Sequence, residues 1–238
     1  MSKNAILAPI KIKAMILAAG RGNRLRPLTD TLPKPLIPVC GKPLIEYHIE
    51  ALAEAGVMDI VINHAWLGER LEAELGSGAR WGVTLHYSPE PEGGLETAGG
   101  IIQALPLLGD SPFLVVNGDV YCDIQFKTLL QTAQQMASDS SRLAHLVLVP
   151  SPNHNQTGDF GLNAQQQVMV EGAFTFSGVS VLHPALFNGQ PEGVSKLAPV
   201  LRKAMQKQRV TGEIYSGIWS DVGTVKRLNA TEKMLGCI

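Results

Sequence analysis

The stretch IKAMILAAGRGNRLRPLT, residues 12–29, decides the fold class of this chain. Its first part, residues 12–19, is a short apolar run that ends at Gly20, which is typical of a buried strand. Residues 43–55 then carry apolar side chains at helical spacing and are followed by Gly56, a residue type that commonly ends helices. A buried strand that leads through a loop into a helix predicts the first unit of an α/β fold.

The rest of the chain continues to alternate between predicted strands and predicted helices. Further strands are predicted at residues 59–63, 83–87, 113–117, 143–149, 174–182 and 210–215. Helices are predicted near residues 66–75, 95–105, 125–136, 197–207 and 224–235. This alternation predicts a Rossmann-like, doubly wound, mostly parallel sheet, and the loosened pattern around Asn153 predicts a small additional β layer. We expect one domain, residues 13–238, preceded by a leader or extension, residues 1–12.

Length and composition are those of a globular protein with a core of ordinary size. The 238 residues are 45% hydrophobic and no short period repeats, which excludes collagen, coiled coils and low-complexity disorder. The 20 basic and 21 acidic residues give a formal net charge of −1. Because this balance offers no general attraction for polyanions, and no long apolar run occurs, we expect neither a nucleic-acid partner nor a membrane partner.

The three cysteines, Cys40, Cys122 and Cys237, are widely spaced and form no CxxC motif. An odd number of cysteines without a matching histidine pair indicates neither a disulfide framework nor a zinc site. We therefore expect Cys40 and Cys122 to pack as small apolar groups, and a location in a reducing cytoplasm.

The loop after the first strand is the first candidate for a site, because ligands of open α/β sheets bind beyond the carboxyl ends of the strands. This loop contains two glycines and three arginines, and a Pro-flanked lysine follows it: Gly20, Gly22, Arg21, Arg24, Arg26 and Lys34. Glycines let backbone amides approach an anion closely, and the cations offset its charge. The loop therefore predicts a phosphate-binding site.

Two widespread phosphate motifs do not describe this loop. The dinucleotide fingerprint GxGxxG would need glycine where Leu25 stands, and Pro27 interrupts the helix that should follow. The Walker pattern GxxxxGK[ST] does not occur, so Lys34 must reach its phosphate from a separate turn.

The segment LAAGRGNRLRPLT, residues 17–29, together with PKPL at residues 33–36, resembles the nucleotidyltransferases that join a nucleoside triphosphate to a sugar 1-phosphate. The signature of that family is G-x-G-x-R-[LM]-x-P-L-T followed by K-P. The resemblance implies the nucleotide-diphospho-sugar transferase fold, a loop that wraps the triphosphate, and pyrophosphate as leaving group. By resemblance the phosphate-binding positions are Gly20, Gly22, Asn23, Arg24 and Lys34.

Two aspartates lie far apart in the sequence, Asp119 in VNGD and Asp221 in WSDVGT. Each alone could be a turn residue or a helix cap. Mg²⁺ on phosphates is usually held by one or two carboxylates together with substrate and water. In the resembling family these two motifs supply the metal ligands, so Asp119 and Asp221 are predicted to hold Mg²⁺. The predicted catalytic residues are Arg24, Lys34 and Asp119.

The implied chemistry needs no general base. A sugar 1-phosphate has its second pKa near about 6, so at neutral pH it is mostly a dianion that can attack the α-phosphorus directly. Catalysis then consists of aligning two anions that repel each other and offsetting their charge.

The second half of the chain has an unusual charge distribution, because residues 143–195 contain no lysine or arginine. Asp159 and Glu171 fall in this region, and carboxylates can accept hydrogen bonds from sugar hydroxyls. We expect these two residues to contact the acceptor sugar. Asn117, at the end of a predicted strand, is expected to face the nucleotide or the acceptor.

The turn after the third strand carries Glu90 and Gly94, where the resembling enzymes bind the base. A carboxylate there could accept a hydrogen bond from uracil N3–H or equally from guanine N1–H, so residue type leaves the base open.

Over its whole length the motif set resembles most the bacterial uridylyltransferases that act on N-acetylmuramate 1-phosphate in cell-wall sugar recycling. This resemblance implies UTP and that sugar phosphate as substrates. The alternatives are a mannose 1-phosphate guanylyltransferase, a glucose 1-phosphate nucleotidyltransferase, a phosphocholine cytidylyltransferase and, in a different class, a catalytically silent nucleotide-binding subunit. The missing E-K-P element, whose lysine grips the sugar phosphate in many hexose 1-phosphate enzymes, disfavours a glucose-type thymidylyltransferase.

Overall fold

The computed structural model describes residues 11–153 and 155–238, which form twelve strands and seven α-helices. The strands are β1 (Ala14–Leu17), β2 (Pro38–Val39), β3 (Lys42–Pro43), β4 (Asp59–His64), β5 (Thr84–Pro89), β6 (Phe113–Asn117), β7 (Val120–Cys122), β8 (Ala144–Pro150), β9 (Phe160–Leu162), β10 (Val168–Leu182), β11 (Val210–Ile214) and β12 (Trp219–Asp221). The helices are α1 (Leu28–Thr31), α2 (Leu44–Ala55), α3 (Gly68–Leu75), α4 (Glu96–Leu108), α5 (Phe126–Ser138), α6 (Leu197–Met205) and α7 (Val225–Met234).

The main sheet has eight strands in the order β11-β8-β10-β6-β1-β4-β5, with β9 paired to β10. Strand β1 is parallel to both β4 and β6, and β4 is parallel to β5. The long strand β10 runs antiparallel to β6, β8 and β9. The carboxyl ends of β1, β4, β5 and β6 therefore meet at one edge of the sheet, where the loops that follow them converge.

Helices cover both faces of the sheet, because β1 and its neighbours are apolar on both sides. Ala14 and Ile16 of β1 pack in one core with side chains of α2, α3 and α5. Met15, which points to the opposite face, packs in a second core with side chains of α4 and α6. This two-sided burial is the physical reason that β1 reads as a continuous apolar run.

A third, smaller core lies beside the site and joins distant parts of the chain. It contains Leu25, Ile37, Val39, Leu44, Val222 and Leu228. These residues come from the segment between β1 and β2, from β2, from the start of α2, from the segment leading into α7 and from α7 itself. The cluster therefore fixes the loop after β1 against the segment that carries Asp221.

The predicted fold class is confirmed, and most predicted elements lie within a few residues of the observed ones. The small additional sheets are the two-stranded pairs β2–β3 and β7–β12, which sequence reading did not place. The strands after Asn153 extend the main sheet instead, because β10 reaches back to Val168 and pairs with β8 and β6.

The cysteine prediction is wrong for two of the three residues. Cys40 and Cys237 form a disulfide with Cα atoms 5.5 Å apart, although 197 positions separate them in sequence. Cys122 is a free thiol, and burial raises its pKa to about 11. The cytoplasmic location expected from the cysteines stays a prediction. In a reducing compartment the Cys40–Cys237 pair would be kept as thiols.

Within the described residues, no helix has both the length and the apolar character that crossing a bilayer requires. Residues 1–10, most of the predicted leader, lie outside the described part of the chain.

Candidate active site

A cavity of about 870 Å³, called the larger cavity below, opens at the carboxyl ends of β1, β4, β5 and β6. It is lined by residues 17–24, 34–35, 63, 65–66, 90, 92–97, 117–119 and 223. The five residues predicted to bind phosphate all lie in this lining, together with Glu90, Gly94, Asn117 and Asp119. The sheet edge thus brings together four loops that are far apart in sequence.

Gly22 sets the shape of the predicted phosphate-binding loop. Its φ of +70° lies in the left-handed region, which glycine adopts without the strain of a side chain. A Cβ at this position would lie 2.8 Å from Thr29 Cγ2 and 3.2 Å from Lys34 Cβ. The hydroxyl of Thr29 donates a hydrogen bond of 2.9 Å to the Gly22 carbonyl. Glycine here lets the loop pack directly against the segment that carries Lys34.

The three arginines of the loop have different surroundings. Arg21 donates a hydrogen bond of 2.7 Å to the Thr29 carbonyl and lies 3.7 Å above the Trp66 ring. Arg26 donates a 2.6 Å hydrogen bond to Asp30 and lowers the pKa of that carboxyl. Arg21 and Arg24 both line the larger cavity, but Arg24 is exposed, whereas Arg21 is held against Thr29 and Trp66. Of the three, Arg24 is therefore the arginine best placed to meet a bound phosphate.

Lys34 and Asp119 form an ion pair in the lining of the larger cavity, with Nζ 2.5 Å from Oδ2. The lysine side chain is 10% exposed and the aspartate side chain 36%. Lys34 begins a short 3₁₀ turn, Lys34–Leu36, and Pro33 and Pro35 restrict the backbone on both sides of it. The turn therefore holds an ammonium group at the site before any ligand arrives, and Asp119 offsets its charge.

The two predicted metal ligands lie close together at one end of the β7–β12 pair. Asp119 stands directly before β7, Asp221 ends β12, and the Val222 amide donates a 2.9 Å hydrogen bond to the Asp119 carbonyl. Asp221 Oδ2 lies 3.3 Å from Nη1 of Arg227 on α7. Asp119 lines the larger cavity, whereas Asp221 lines a second cavity of about 380 Å³, called the smaller cavity below.

Gly223 lies between these functional side chains. A Cβ at this buried position would be 2.2 Å from Arg227 Nη2, 2.7 Å from Asp221 Oδ1 and 3.1 Å from Arg24 Nη2. The residue also lines the larger cavity. The absence of a side chain at Gly223 thus lets two guanidinium groups and a carboxylate approach the same point.

His48 supports the turn that carries Asp119. Its Nε2 lies 2.8 Å from the Val120 carbonyl, an acceptor, so the ring nitrogen must carry the donated proton. Complete burial lowers the pKa of His48 to about 4, which keeps the ring neutral at physiological pH. This residue was missed by sequence reasoning, since an isolated histidine in a helix gives no signal of such a contact.

Glu90 is held firmly at the other end of the larger cavity. Its Oε1 accepts a 2.6 Å hydrogen bond from Asn63 Nδ2, and its Oε2 accepts one of 2.7 Å from the Leu95 amide. The neighbouring Glu96 has a φ of +59°, unusual for a residue with a side chain, and lines the cavity in an exposed position. Each Glu90 oxygen keeps a second lone pair, so the carboxylate can still accept a hydrogen bond from a ligand.

The remaining predicted substrate residues separate into two groups. Asn117 lies in the larger cavity, as expected for a residue that meets a ligand. Asp159 accepts hydrogen bonds from the Asn155 side chain and the Phe176 amide, and Glu171 is exposed on β10. Neither Asp159 nor Glu171 lines the larger or the smaller cavity. The structure therefore does not bring these two carboxylates to the site.

Comparison with known proteins agrees with this geometry. The sequence pattern of the nucleotidyl transferase family matches residues 13–168. An N-acetylmuramate alpha-1-phosphate uridylyltransferase from Neisseria meningitidis serogroup B is 56% identical over 230 residues, which cover 94% of this chain and 99% of that protein. A protein of the same name from Caulobacter vibrioides is 33% identical, covering 93% of this chain and 96% of its own.

Two other similar proteins differ in name or in length. A mannose-1-phosphate guanylyltransferase catalytic subunit beta from Danio rerio is 34% identical over 90% of this chain, which spans 62% of that protein. A crystal structure of a Bacillus anthracis protein, named as a glucose-1-phosphate thymidylyltransferase, superposes with a TM-score of 0.82 at 20% identity and covers 94% of both chains. The latter likeness concerns the fold alone.

Proposed function

This chain belongs to the nucleotidyl transferase family, and we propose that it transfers a uridylyl group from UTP to N-acetylmuramate 1-phosphate. The products are UDP-N-acetylmuramate and pyrophosphate, and the reaction would serve the recycling of cell-wall sugars. The near full-length relative at 56% identity, which carries the name of this activity, supports the choice of substrates.

The observation that carries the proposal is the Lys34–Asp119 pair beside the glycine-rich loop in the larger cavity. We infer that the triphosphate lies along residues 20–24, where loop amides, Arg24 and Lys34 can meet its oxygens. The nucleoside then extends toward Glu90 and Gly94, which lie in the same cavity. Cations at one end and hydrogen-bond acceptors at the other match the two ends of a nucleotide.

Asp119 and Asp221 are the donors that this chain offers to Mg²⁺. Carboxylate oxygens are the ligands that Mg²⁺ prefers, and the hydrogen bond from Val222 to Asp119 holds the two residues on adjacent backbones. Among the described residues, no group of three or more His, Cys, Asp and Glu is arranged for a metal. Such a site depends on substrate oxygens and water for its other ligands, and bound Mg²⁺ would neutralise part of the phosphate charge.

Positioning and charge compensation are the remaining tasks of the protein. The acceptor phosphate is its own nucleophile, so the chain must hold it in line with the α-phosphorus and exclude competing water. Lys34 is restrained by its prolines and by Asp119, so little reorganisation is needed when charge moves onto the leaving pyrophosphate.

The test is an assay of pyrophosphate release by purified protein with Mg²⁺, UTP or GTP, and a panel of sugar 1-phosphates. We expect turnover with UTP and N-acetylmuramate 1-phosphate. Turnover only with GTP and mannose 1-phosphate would move the chain to the function named for the Danio rerio relative. Nucleotide binding without turnover on any acceptor would instead support a silent regulatory subunit.

A further inference from the structure

The smaller cavity has mainly apolar and neutral walls with one basic side chain. Its lining includes Pro150, Pro152, Tyr215 and Trp219, and it also contains Asp221 and Arg227. Among the described lining residues, Arg227 is the one cation. A cavity of about 380 Å³ with aromatic and proline surfaces and one guanidinium suits an organic ligand that carries an anionic group.

The guanidinium of Arg227 has unused hydrogen-bond capacity. Nη1 lies 3.3 Å from Asp221, but Nε and Nη2 are shielded from solvent and have no hydrogen-bond partner in the part of the chain that the structure describes. Buried donors are nearly always satisfied, because an unmade hydrogen bond to a charged group is costly. Arg227 thus has more donors than its protein surroundings use.

Arg227 also lies next to the site of phosphate chemistry. Its Nη2 and the Nη2 of Arg24 both approach Gly223, and Arg24 lines the larger cavity while Arg227 lines the smaller one. The two guanidinium groups therefore approach one point beside Gly223, although they line different cavities. An anion in the smaller cavity would lie close to the proposed triphosphate site and would meet Arg227 there.

The chain segment that forms one wall of the smaller cavity supplies no positive charge. Residues 143–195, which contribute Val149, Pro150 and Pro152 to the smaller cavity, contain no lysine or arginine. An acceptor that carries a phosphate dianion, and in N-acetylmuramate also a carboxylate, needs a cation to offset the charge it brings beside a triphosphate.

We propose that Arg227 binds an oxyanion of the acceptor in the smaller cavity and so positions this substrate. The inference rests on the proposed function, since it takes the acceptor to be N-acetylmuramate 1-phosphate. Asp221, which pairs with Arg227 at 3.3 Å, is also a proposed metal ligand. A carboxylate that held Mg²⁺ would offset less of the guanidinium charge, and an oxyanion of the acceptor would supply the difference.

Two oxyanions of the acceptor have the required chemistry, its phosphate and its lactyl carboxylate. Titration of product distinguishes them without turnover, because UDP-N-acetylmuramate carries both groups, UDP-N-acetylglucosamine lacks the carboxylate, and UMP lacks the acceptor half altogether. The variants are Arg227→Gln, the charge-retaining Arg227→Lys, and Lys226→Gln as a control. Lys226 is exposed on the same helix, so its replacement changes the charge equally without altering the cavity.

Calorimetric titration should show that Arg227→Gln weakens UDP-N-acetylmuramate binding by about tenfold to hundredfold, the range for loss of a hydrogen-bonded charge. UMP affinity should stay within about twofold, and Arg227→Lys should recover part of the loss. An equal loss for UDP-N-acetylglucosamine would assign the contact to the phosphate, and a loss confined to UDP-N-acetylmuramate would assign it to the carboxylate. Lys226→Gln should match the wild type.

Two results would overturn the inference. Unchanged affinity of Arg227→Gln for both nucleotide sugars, in a protein whose wild type turns over N-acetylmuramate 1-phosphate, would refute it while leaving the proposed function intact. A wild type without that turnover would refute both. The thermal unfolding of each variant is measured to show whether it is folded. If Arg227→Gln unfolds at a lower temperature than the wild type, the test uses Arg227→Lys, whose affinity for UDP-N-acetylmuramate should lie between those of Arg227→Gln and the wild type.

Discussion

Replacing Gly223 with alanine should separate catalysis from stability. The position is buried, but its backbone is not in the left-handed region, so alanine meets no backbone strain there. The added Cβ would lie 2.2 Å from Arg227 Nη2, and reaching 3.0 Å requires a shift of about 0.8 Å. All three neighbours of this Cβ are ends of flexible side chains, those of Arg227, Asp221 and Arg24.

The free energy of unfolding should change little in Gly223→Ala. Overpacking typically costs about 1–3 kcal/mol, and side-chain ends that can move put this case at the lower end of that range. Alanine also reduces the entropy of the unfolded chain, which restores about 0.4–1 kcal/mol. We expect a net loss below about 1 kcal/mol in urea unfolding.

Activity should fall much further, because the groups that move are the ones proposed to bind phosphate and metal. Misplacement of catalytic groups by about 1 Å can cost roughly a hundredfold in rate. The assay is pyrophosphate release at saturating UTP and acceptor. The matched control is Gly212→Ala on β11, whose Cβ would meet the Leu146 carbonyl and a Val168 methyl at 2.8 Å inside the sheet. It should lose stability and keep its rate constants, and the reasoning is refuted if Gly223→Ala retains full activity.

Three further predictions test other parts of the site. Lys34→Met and Asp119→Asn should each lower kcat by about a hundredfold or more while circular dichroism stays native, because the first removes a cation from the proposed phosphate site and the second removes the charge of a proposed Mg²⁺ ligand; activity near wild type in both would mean that the chemistry occurs elsewhere. Glu96→Gly should raise the free energy of unfolding by about 1 kcal/mol, because glycine adopts the positive φ of this position without strain. Gln208→Gly, at a residue outside the cavity that also has a positive φ, should have the same effect. A lower thermal unfolding temperature in these variants would contradict this prediction. For His48 the folded pKa of about 4 lies below the unfolded value of 6.5, so stability is complete above pH 6.5 and declines as pH falls toward 4. His48→Gln should reduce the stability difference between pH 7 and pH 4.5 by about 2–3 kcal/mol in urea unfolding, and an unchanged difference would show that the histidine is not buried neutral.

The fold could be predicted from sequence where burial is two-sided or strictly periodic. Strand β6 lies at the predicted residues 113–117, since a strand covered on both faces must be apolar throughout. The β7–β12 pair was not predicted, because three-residue strands such as Trp219–Asp221 contain polar residues and have no recognisable period. Their pairing depends on contacts between positions about 100 residues apart.

The parts of the site that lie within a single loop could be predicted from the sequence. The segment at residues 20–34 predicts phosphate binding through its glycines and charges alone, and the structure places residues 20–24 and Lys34 in the lining of the larger cavity. Arg227 could not be found this way, since a lone arginine in an amphipathic helix is ordinary until the fold places it beside Asp221. For Asp159 the sequence predicted a substrate contact that the structure does not show. Its carboxylate instead accepts hydrogen bonds from the Asn155 side chain and the Phe176 amide, which no sequence pattern indicates.

The Cys40–Cys237 bridge has a mechanical consequence. When the chain is pulled between residue 11 and its last residue, the force passes through the disulfide bond. The segment between Cys40 and Cys237 therefore bears no tension. The tether can then lengthen by only the slack of residues 11–40, about 100 Å of extended chain, whereas after reduction it can reach roughly 800 Å. A single-molecule stretching trace would therefore report the oxidation state of this one bond as a difference in contour length.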